Sequence, residues 1–357
     1  MMKNSGILNV FKGGCDRVGI RGLILLCLLV PVMNRVQSQN LHFSQFFNSP
    51  LTTNPANTGF IPESDYRVGL NYRSQWTSIP IPYKTMSVSG DAQVFRDKFP
   101  TGWVGLGGVI LRDVAGTGNL ASTKVYGSAA YHQMINNTGL ISAGFSLGVV
   151  NKRVDLSRFT FDNQWNGKFF DPTSLSGETF LTNNITYLDL QAGLNYAWFP
   201  TDDIYLHGGL SVMQLNRPKE TFFMMNPGYN RLMDRRYTAF ADAVIKLNDQ
   251  WILSPGAYLS RQSVATEIVL GMHANYNLSG DGEHQLVGGA YYRHGDSFIP
   301  MVGYQWKNIR FMFSYDATSS SLKNYVNGYG ATEMALMNSG FYFNTNGQNR
   351  QSMCPKF

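Results

Sequence analysis

The chain has 357 residues, 36 of them glycine, with 13% aromatic and 15% charged side chains and a formal net charge of +6. Soluble domains carry about 25% charged residues, and each helical membrane span needs about 20 predominantly apolar residues; here the one continuous apolar run of note is 22–33. Basic residues form no concentrated patch, and Lys3, Lys12, Arg17 and Arg21 precede or adjoin that run, so the charge does not point to a nucleic-acid partner.

The run at 22–33 follows Arg21 and precedes Val36, Gln37 and Ser38, the pattern of a secretory leader. A cleaved signal peptide over 1–38 is expected, an uncleaved anchor being the alternative. Cleavage removes Cys15 and Cys27 and leaves Cys354. That excludes an intrachain disulfide and, with no base identifiable beside it, predicts that Cys354 is not a nucleophile. In residues 39–64, Pro50 and Pro55 interrupt regular structure while Asn54, Asn57 and Gly59 favour turns. The segment is expected either to brace or close a barrel from the N-terminal compartment or to be an ordered surface lead-in.

Between 65 and 343 the pattern changes to strands. In 186–198, Leu188, Leu190, Ala192, Leu194, Tyr196 and Trp198 alternate with Asp189, Gln191, Gly193 and Asn195, a period of two. Fourteen such segments are placed at 65–75, 83–94, 102–112, 121–133, 139–150, 185–198, 203–215, 236–247, 251–261, 265–277, 284–293, 298–306, 309–316 and 331–343. The fold class this predicts is all-β: a transmembrane outer-membrane β-barrel of about 14 antiparallel strands in one domain. A soluble β-sandwich with the aromatics in its core is the competing architecture. Aromatics near strand ends, such as Tyr196, Trp198, Tyr276 and Tyr292, fit interfacial girdles better.

Connection lengths support the barrel. The even-numbered connections are all short, whereas 151–184, 216–235 and 317–330 are long and fall on one side. Short periplasmic turns and long external loops are the asymmetry of outer-membrane barrels. In 265–277, Glu267, His273, Asn275 and Asn277 share a face, with Val269 as an exception; in 236–247, Phe240 and Val244 interrupt the polar face of Arg236, Thr238, Asp242 and Lys246.

Reactive chemistry is not apparent. The sequence has no GxSxG, GxxxxGK[ST], HExxH or paired-cysteine motif. Asp155, Asp162 and Asp171 in the long 151–184 connection, and Glu283 with His284, are the best isolated candidates, and solvation or turn formation is their stronger explanation. His132, His207 and His273 lie in different strands with no metal-ligand spacing. No catalytic, cofactor-binding or metal residues are assigned, and the chain is not expected to be an enzyme.

Short motifs then recur in order along the chain. They are His42, Phe43, Ser44, Gln45 and Phe46; Asn54, Pro55, Ala56 and Gly59; Tyr72, Arg73, Ser74, Gln75 and Trp76; Tyr83, Lys84 and Thr85; and Ser87, Val88, Ser89, Gly90 and Asp91. Later ones are Arg236 and Tyr237; Leu253, Ser254 and Pro255; Tyr315 and Asp316; and Cys354, Pro355, Lys356 and Phe357. In these the chain resembles the PorP/SprF family of outer-membrane proteins associated with type IX secretion and gliding motility in Bacteroidota. The resemblance implies a non-enzymatic component that scaffolds or partners secretion machinery or a secreted surface adhesin. Its expected partners are outer-membrane lipid, type IX components and such an adhesin. It is expected in the outer membrane, with both mature termini periplasmic, the tail 344–357 included. Phe43, Phe46, Phe47, Phe169, Phe170, Phe222 and Phe223 are candidate partner contacts; for Phe169, Phe170, Phe222 and Phe223, burial against the barrel mouth or in the lumen is the alternative. The competing function is an outer-membrane porin or small-solute channel.

Overall fold

Alternation of polar and apolar side chains gives each strand one face for lipid and one for an enclosed lumen, and a ladder that returns on itself leaves no unpaired edge. The computed structural model describes residues 43–62, 64–78, 82–136, 138–178, 182–222, 232–324, 326 and 329–342. Among these, fourteen antiparallel strands form one closed barrel in sequence order. They are β1 (Tyr66–Gln75), β2 (Tyr83–Val94), β3 (Gly102–Ala115), β4 (Leu120–Asn136), β5 (Gly139–Arg153), β6 (Asn184–Thr201) and β7 (Ile204–Met213). The second half is β8 (Arg236–Lys246), β9 (Trp251–Gln262), β10 (Ala265–Asn277), β11 (His284–Arg293), β12 (Ser297–Trp306), β13 (Ile309–Thr318) and β14 (Ala331–Gly340). Closure comes from β1 against β14, with Tyr66 opposite Gly340 and Gln75 opposite Ala331. The leader at 1–38, the tail at 344–357 with Cys354, and Phe223 lie outside the described residues.

Burial is inverted relative to a water-soluble protein. Leu194 and Leu210 on the outer wall are 60% and 64% exposed, whereas Ser314 and Glu333 on the inner wall are 0% exposed. That distribution fits a wall whose outer solvent is lipid. Exposed rings gather toward both strand ends: Tyr131, Tyr196, Trp198, Trp251, Tyr304 and Trp306 at the end with the short turns, and Tyr72, Tyr237, Tyr292 and Phe298 at the other. No described helix is long and apolar enough to cross a membrane.

All fourteen expected strands appear, and the differences are at their ends. Four strands, β3 to β6, run three residues further than the alternation indicated, β3 and β5 toward the long connections and β4 and β6 toward the short turns. Toward the long connections the outer face of β3 to β5 carries Arg112, Thr123, Asn151 and Arg153, polar side chains that break the apolar alternation without ending the ladder. The last strand stops at Gly340 instead of 343; beyond it the Tyr342 N–H donates to Asp65 Oδ2 at 2.9 Å. The long connections after β5, β7 and β13 emerge at the same end of the barrel.

Candidate functional site

The chain before β1 passes through the lumen. From Phe43 at the end of the long connections it descends through helical turns at Phe46–Asn48, Pro50–Thr53 and Pro55–Asn57, and reaches the end of the short turns at Phe60 and Ile61. Pro50 and Pro55 each stand at the first position of their turn, where a missing N–H costs nothing. Nearly every residue of this plug is buried, with Ser44, Gln45, Asn54, Ala56 and Thr58 at 0% exposure.

Its upper end is fixed by an ionic cluster. The Ser44 hydroxyl accepts from Arg73 Nη1 and Arg293 Nη2, both at 2.6 Å, and donates to Asp316 Oδ2 at 2.8 Å. Glu333 receives the backbone N–H of Ser44 at 2.8 Å and that of Gln45 at 2.9 Å, and pairs with Arg73 at 3.1 Å. Asp316 binds Arg73 at 2.8 Å and Arg293 at 2.9 Å; Arg293 reaches Glu267 through Nε and Asp296 through Nη1, both at 3.0 Å. Charges this deeply enclosed are tolerable because each is paired, and removing one partner of such a pair costs roughly 3–5 kcal/mol.

Below the cluster the plug packs on aromatic and small side chains. Phe46 stacks on Tyr258 with centroids 5.3 Å apart, Phe47 on His273 at 4.6 Å and Phe60 on His207 at 4.6 Å. Val269 and Phe240, which break their strands' polar faces, belong with Val287, Ile299 and Met312 to the apolar surface that meets Phe46. Val244 packs against the second cluster, around Phe60, Trp103 and Tyr205. In the middle, Asn54 donates to Asn195 Oδ1 at 2.6 Å and accepts from Ala56 N at 2.8 Å. Gly144 and Gly193 leave the space for this turn, since a Cβ on either would overlap the Pro55–Ala56 backbone or the Asn54 carboxamide. Lower still, Asp91 accepts the Gly59 N–H at 2.8 Å while pairing with Arg67 at 2.7 Å, and Trp103 Nε1 donates to Gly59 O at 2.9 Å.

A cavity of about 620 Å³ remains beside the plug. Phe46, Phe47, Phe60, His273 and Tyr291 line its depth, and Asp281, Glu283 and Lys307 place its mouth at the short turns.

The solitary polar candidates serve the architecture. His132 bonds Ser142 Oγ at 2.7 Å and Thr58 O at 2.9 Å, His207 bonds Asp242 at 3.2 Å, and His273 lies 3.2 Å from the Tyr291 hydroxyl. Asp155 and Asp171 accept from Ser157 and Thr173 within loop turns, and these bonds, chiefly from the two hydroxyls, hold both carboxyls below their ordinary range. Asp162 opens a helical turn, and the His284 ring bonds the Tyr304 hydroxyl at 2.7 Å. Glu283 pairs with Lys307 at 3.5 Å. Among the described residues no group of three His, Cys, Asp or Glu side chains is placed to hold a metal ion. Of the candidate contact rings, Phe43 and Phe46 are buried in the lumen and Phe47 packs beside them, so these three face the protein's own barrel. Phe169 and Phe170 are exposed on the connection after β5, and Phe222 is half-buried. The Phe43–Phe47 stretch therefore lies in the lumen toward the long connections, and not on the short-turn side where a periplasmic N-terminal segment was expected; the paired charges around Ser44 hold it there.

The model of the type IX secretion system membrane protein PorP/SprF family matches residues 36–336. The chain belongs to the PorP/SprF family. It is a non-enzymatic outer-membrane β-barrel protein, associated by family with type IX secretion machinery. No curated protein matches it. Among solved structures it is similar to the toluene transporter TbuX of Ralstonia pickettii (12% identity, 82% of this chain and 94% of that one, TM-score 0.46). A FadL homologue of Pseudomonas aeruginosa gives 11% identity over 80% and 92% of the two chains with a TM-score of 0.48, and the KdgM porin 10% over 76% and 98% with 0.36. Likeness at this level says nothing about cargo.

The motifs that carry the PorP/SprF resemblance meet at the plug. Ser44 contacts Arg73 and Asp316, so that three motifs dispersed over the chain meet there, while Gly59 and Asp91, from two more, contact each other. Sequence reasoning found these residues as family marks but not as one site. Glu333 and Arg293 carried no motif signal; the available clue was a charged residue on the inner face of a strand.

Proposed function

We propose that this PorP/SprF protein is a closed-lumen scaffold of type IX protein secretion and gliding motility, acting through partner contacts and not by conducting solute. The observation that carries this is the plug: Phe43–Ile61 occupies the lumen along its length and is tied to the wall at both ends by buried charge. In this reading the long connections face outward and present Phe169 and Phe170, with Phe222 and Phe223 on the next, to an exported protein such as a surface adhesin. The short turns and the tail at 344–357 face the periplasmic machinery. Rings exposed on loops suit such contacts, because aromatic anchors dominate binding energy when a partner covers them.

A porin or small-solute channel is the second reading, favoured by the cavity beside the plug that opens at the short turns. The two differ in whether solute crosses. Gentle solubilisation of native membranes should copurify type IX components or an exported adhesin, and deletion should reduce surface display of a secreted substrate. The purified protein should show no large, stable conductance in planar bilayers. Steady open-pore currents from intact protein, with normal surface export in the deletion strain, would establish the channel instead.

A further inference from the structure

Ionised side chains are sorted by face. Every carboxylate within the strands, from Asp91 in β2 to Glu333 in β14, lies on the inner face. The strand Lys and Arg side chains on the outer face are Lys84, Arg112, Arg153 and Arg261, and all four lie toward the long connections. An ionised group on the lipid face is costly at the membrane midplane and tolerated near the interface, which accounts for their height but not for their single sign.

Three of the four converge. Register places Lys84 in one row with Val114, Ala121 and Arg153, and Arg112 in the adjoining outward row with Met86, Thr123 and Asn151. With strands about 4.8 Å apart, Lys84 and Arg153 stand about 14 Å from one another, and Arg112 lies between them one pleat closer to the membrane. The next outward row is apolar and exposed throughout: Val88, Ile110, Val125, Val149 and Leu188. The cluster thus sits where the hydrocarbon-facing wall ends. Beside it Asn151 Nδ2 donates to Thr186 Oγ1 at 2.8 Å, so the neighbouring surface is polar as well. None of the three basic side chains forms an ion pair or hydrogen bond with a described residue, in contrast to Arg73 and Arg293 in the lumen.

We propose that Lys84, Arg112 and Arg153 form a binding site on the barrel's outer wall for the phosphate groups of an anionic membrane lipid. Arg suits this role through its forked donors and Lys as a compact charge, and both keep their aliphatic stems against the apolar row below. Facing the external leaflet, the site would take a phosphorylated glycolipid; the same chemistry would accept the phosphate of a glycerophospholipid. Arg261, four strands from β5, lacks such neighbours and serves as the solitary comparison.

Native mass spectrometry of the purified full-length protein in detergent tests this with four probes: phosphorylated lipid A, phosphatase-treated lipid A, phosphatidylglycerol and inorganic phosphate. Phosphorylated lipid A should bind about 100-fold better than its dephosphorylated form, the scale expected for three basic residues at a membrane surface. K84Q/R112Q/R153Q should lose that preference, whereas R261Q and the charge-preserving K84R/R112K/R153K should keep it. Heat-modifiable gel mobility would verify that each variant is a folded barrel, and the charge-preserving variant separates lost charge from lost packing. Equal binding of phosphatidylglycerol would support the site and assign the lipid to the glycerophospholipid class. Equal binding of the dephosphorylated lipid, an unaltered preference in the folded K84Q/R112Q/R153Q variant, or displacement of lipid by stoichiometric inorganic phosphate would overturn it.

Discussion

Glu333 is the side chain on which the upper end of the plug depends most directly, since one carboxylate receives two backbone N–H groups of the plug and one guanidinium of the wall. Replacing it by Ala would strand the two backbone N–H groups and leave Arg73 with only Ser44 and Asp316, and the expected loss is roughly 3–5 kcal/mol of plug attachment. The barrel ladder does not run through this carboxylate. Glu333→Ala should therefore leave heat-modifiable mobility intact while making residues 43–61 accessible to limited proteolysis. Glu333→Gln retains one acceptor oxygen and should give a smaller effect. A protease pattern identical to wild type in the Ala variant would show that the plug is held without the ionic cluster. Glu333 lies on the inner face of β14, but no local pattern tells which inward charges meet a segment nearly 290 residues away.

The plug and the strands it contacts were unequally legible. Strands announce themselves because lipid on one side and polar lumen on the other impose a period of two. A plug meets side chains on all sides and follows no period, so 39–64 showed only turn residues. Its imprint was present elsewhere, in Val269, Phe240 and Val244, whose apolar side chains on polar faces mark where the plug's rings lie. The ends of β3 and β5 toward the long connections were less legible because a strand that rises beyond the hydrocarbon loses its apolar alternate residues while keeping its ladder. Glycine supplies a test of the plug as an element. Adding large side chains in the double variant Gly144→Leu/Gly193→Leu should occupy the space of Pro55, Ala56 and Asn54 and expel the segment from an otherwise closed barrel. Such a variant should conduct ions in planar bilayers where wild type does not. A folded double variant that remains closed would indicate that the lumen is sealed by more than this segment.

At the scale of the whole molecule, fourteen traverses return the last strand to the end where the first begins, and every long connection lies at the opposite end. Outer-membrane barrels keep short turns on the periplasmic side, so epitope tags at Asn119, Pro172 and Asn324 should be labelled on intact cells, and tags at Asn248 and Gly282 only after the outer membrane is permeabilised. The plug adds a sharper consequence. Because the chain enters the lumen beside Arg73 and Asp316 and leaves it beside Trp103 and Gln93, Phe43 stands toward the external end and the start of β1 toward the periplasm. A cysteine replacing exposed Lys323, beyond β13, should react with an impermeant maleimide on whole cells, whereas one replacing Asp249, between β8 and β9, should not. If the Asp249 position labels on intact cells and the Lys323 position is protected, the barrel is inverted; the segment that starts at Phe43 would then enter from the periplasmic side, within reach of the secretion machinery there.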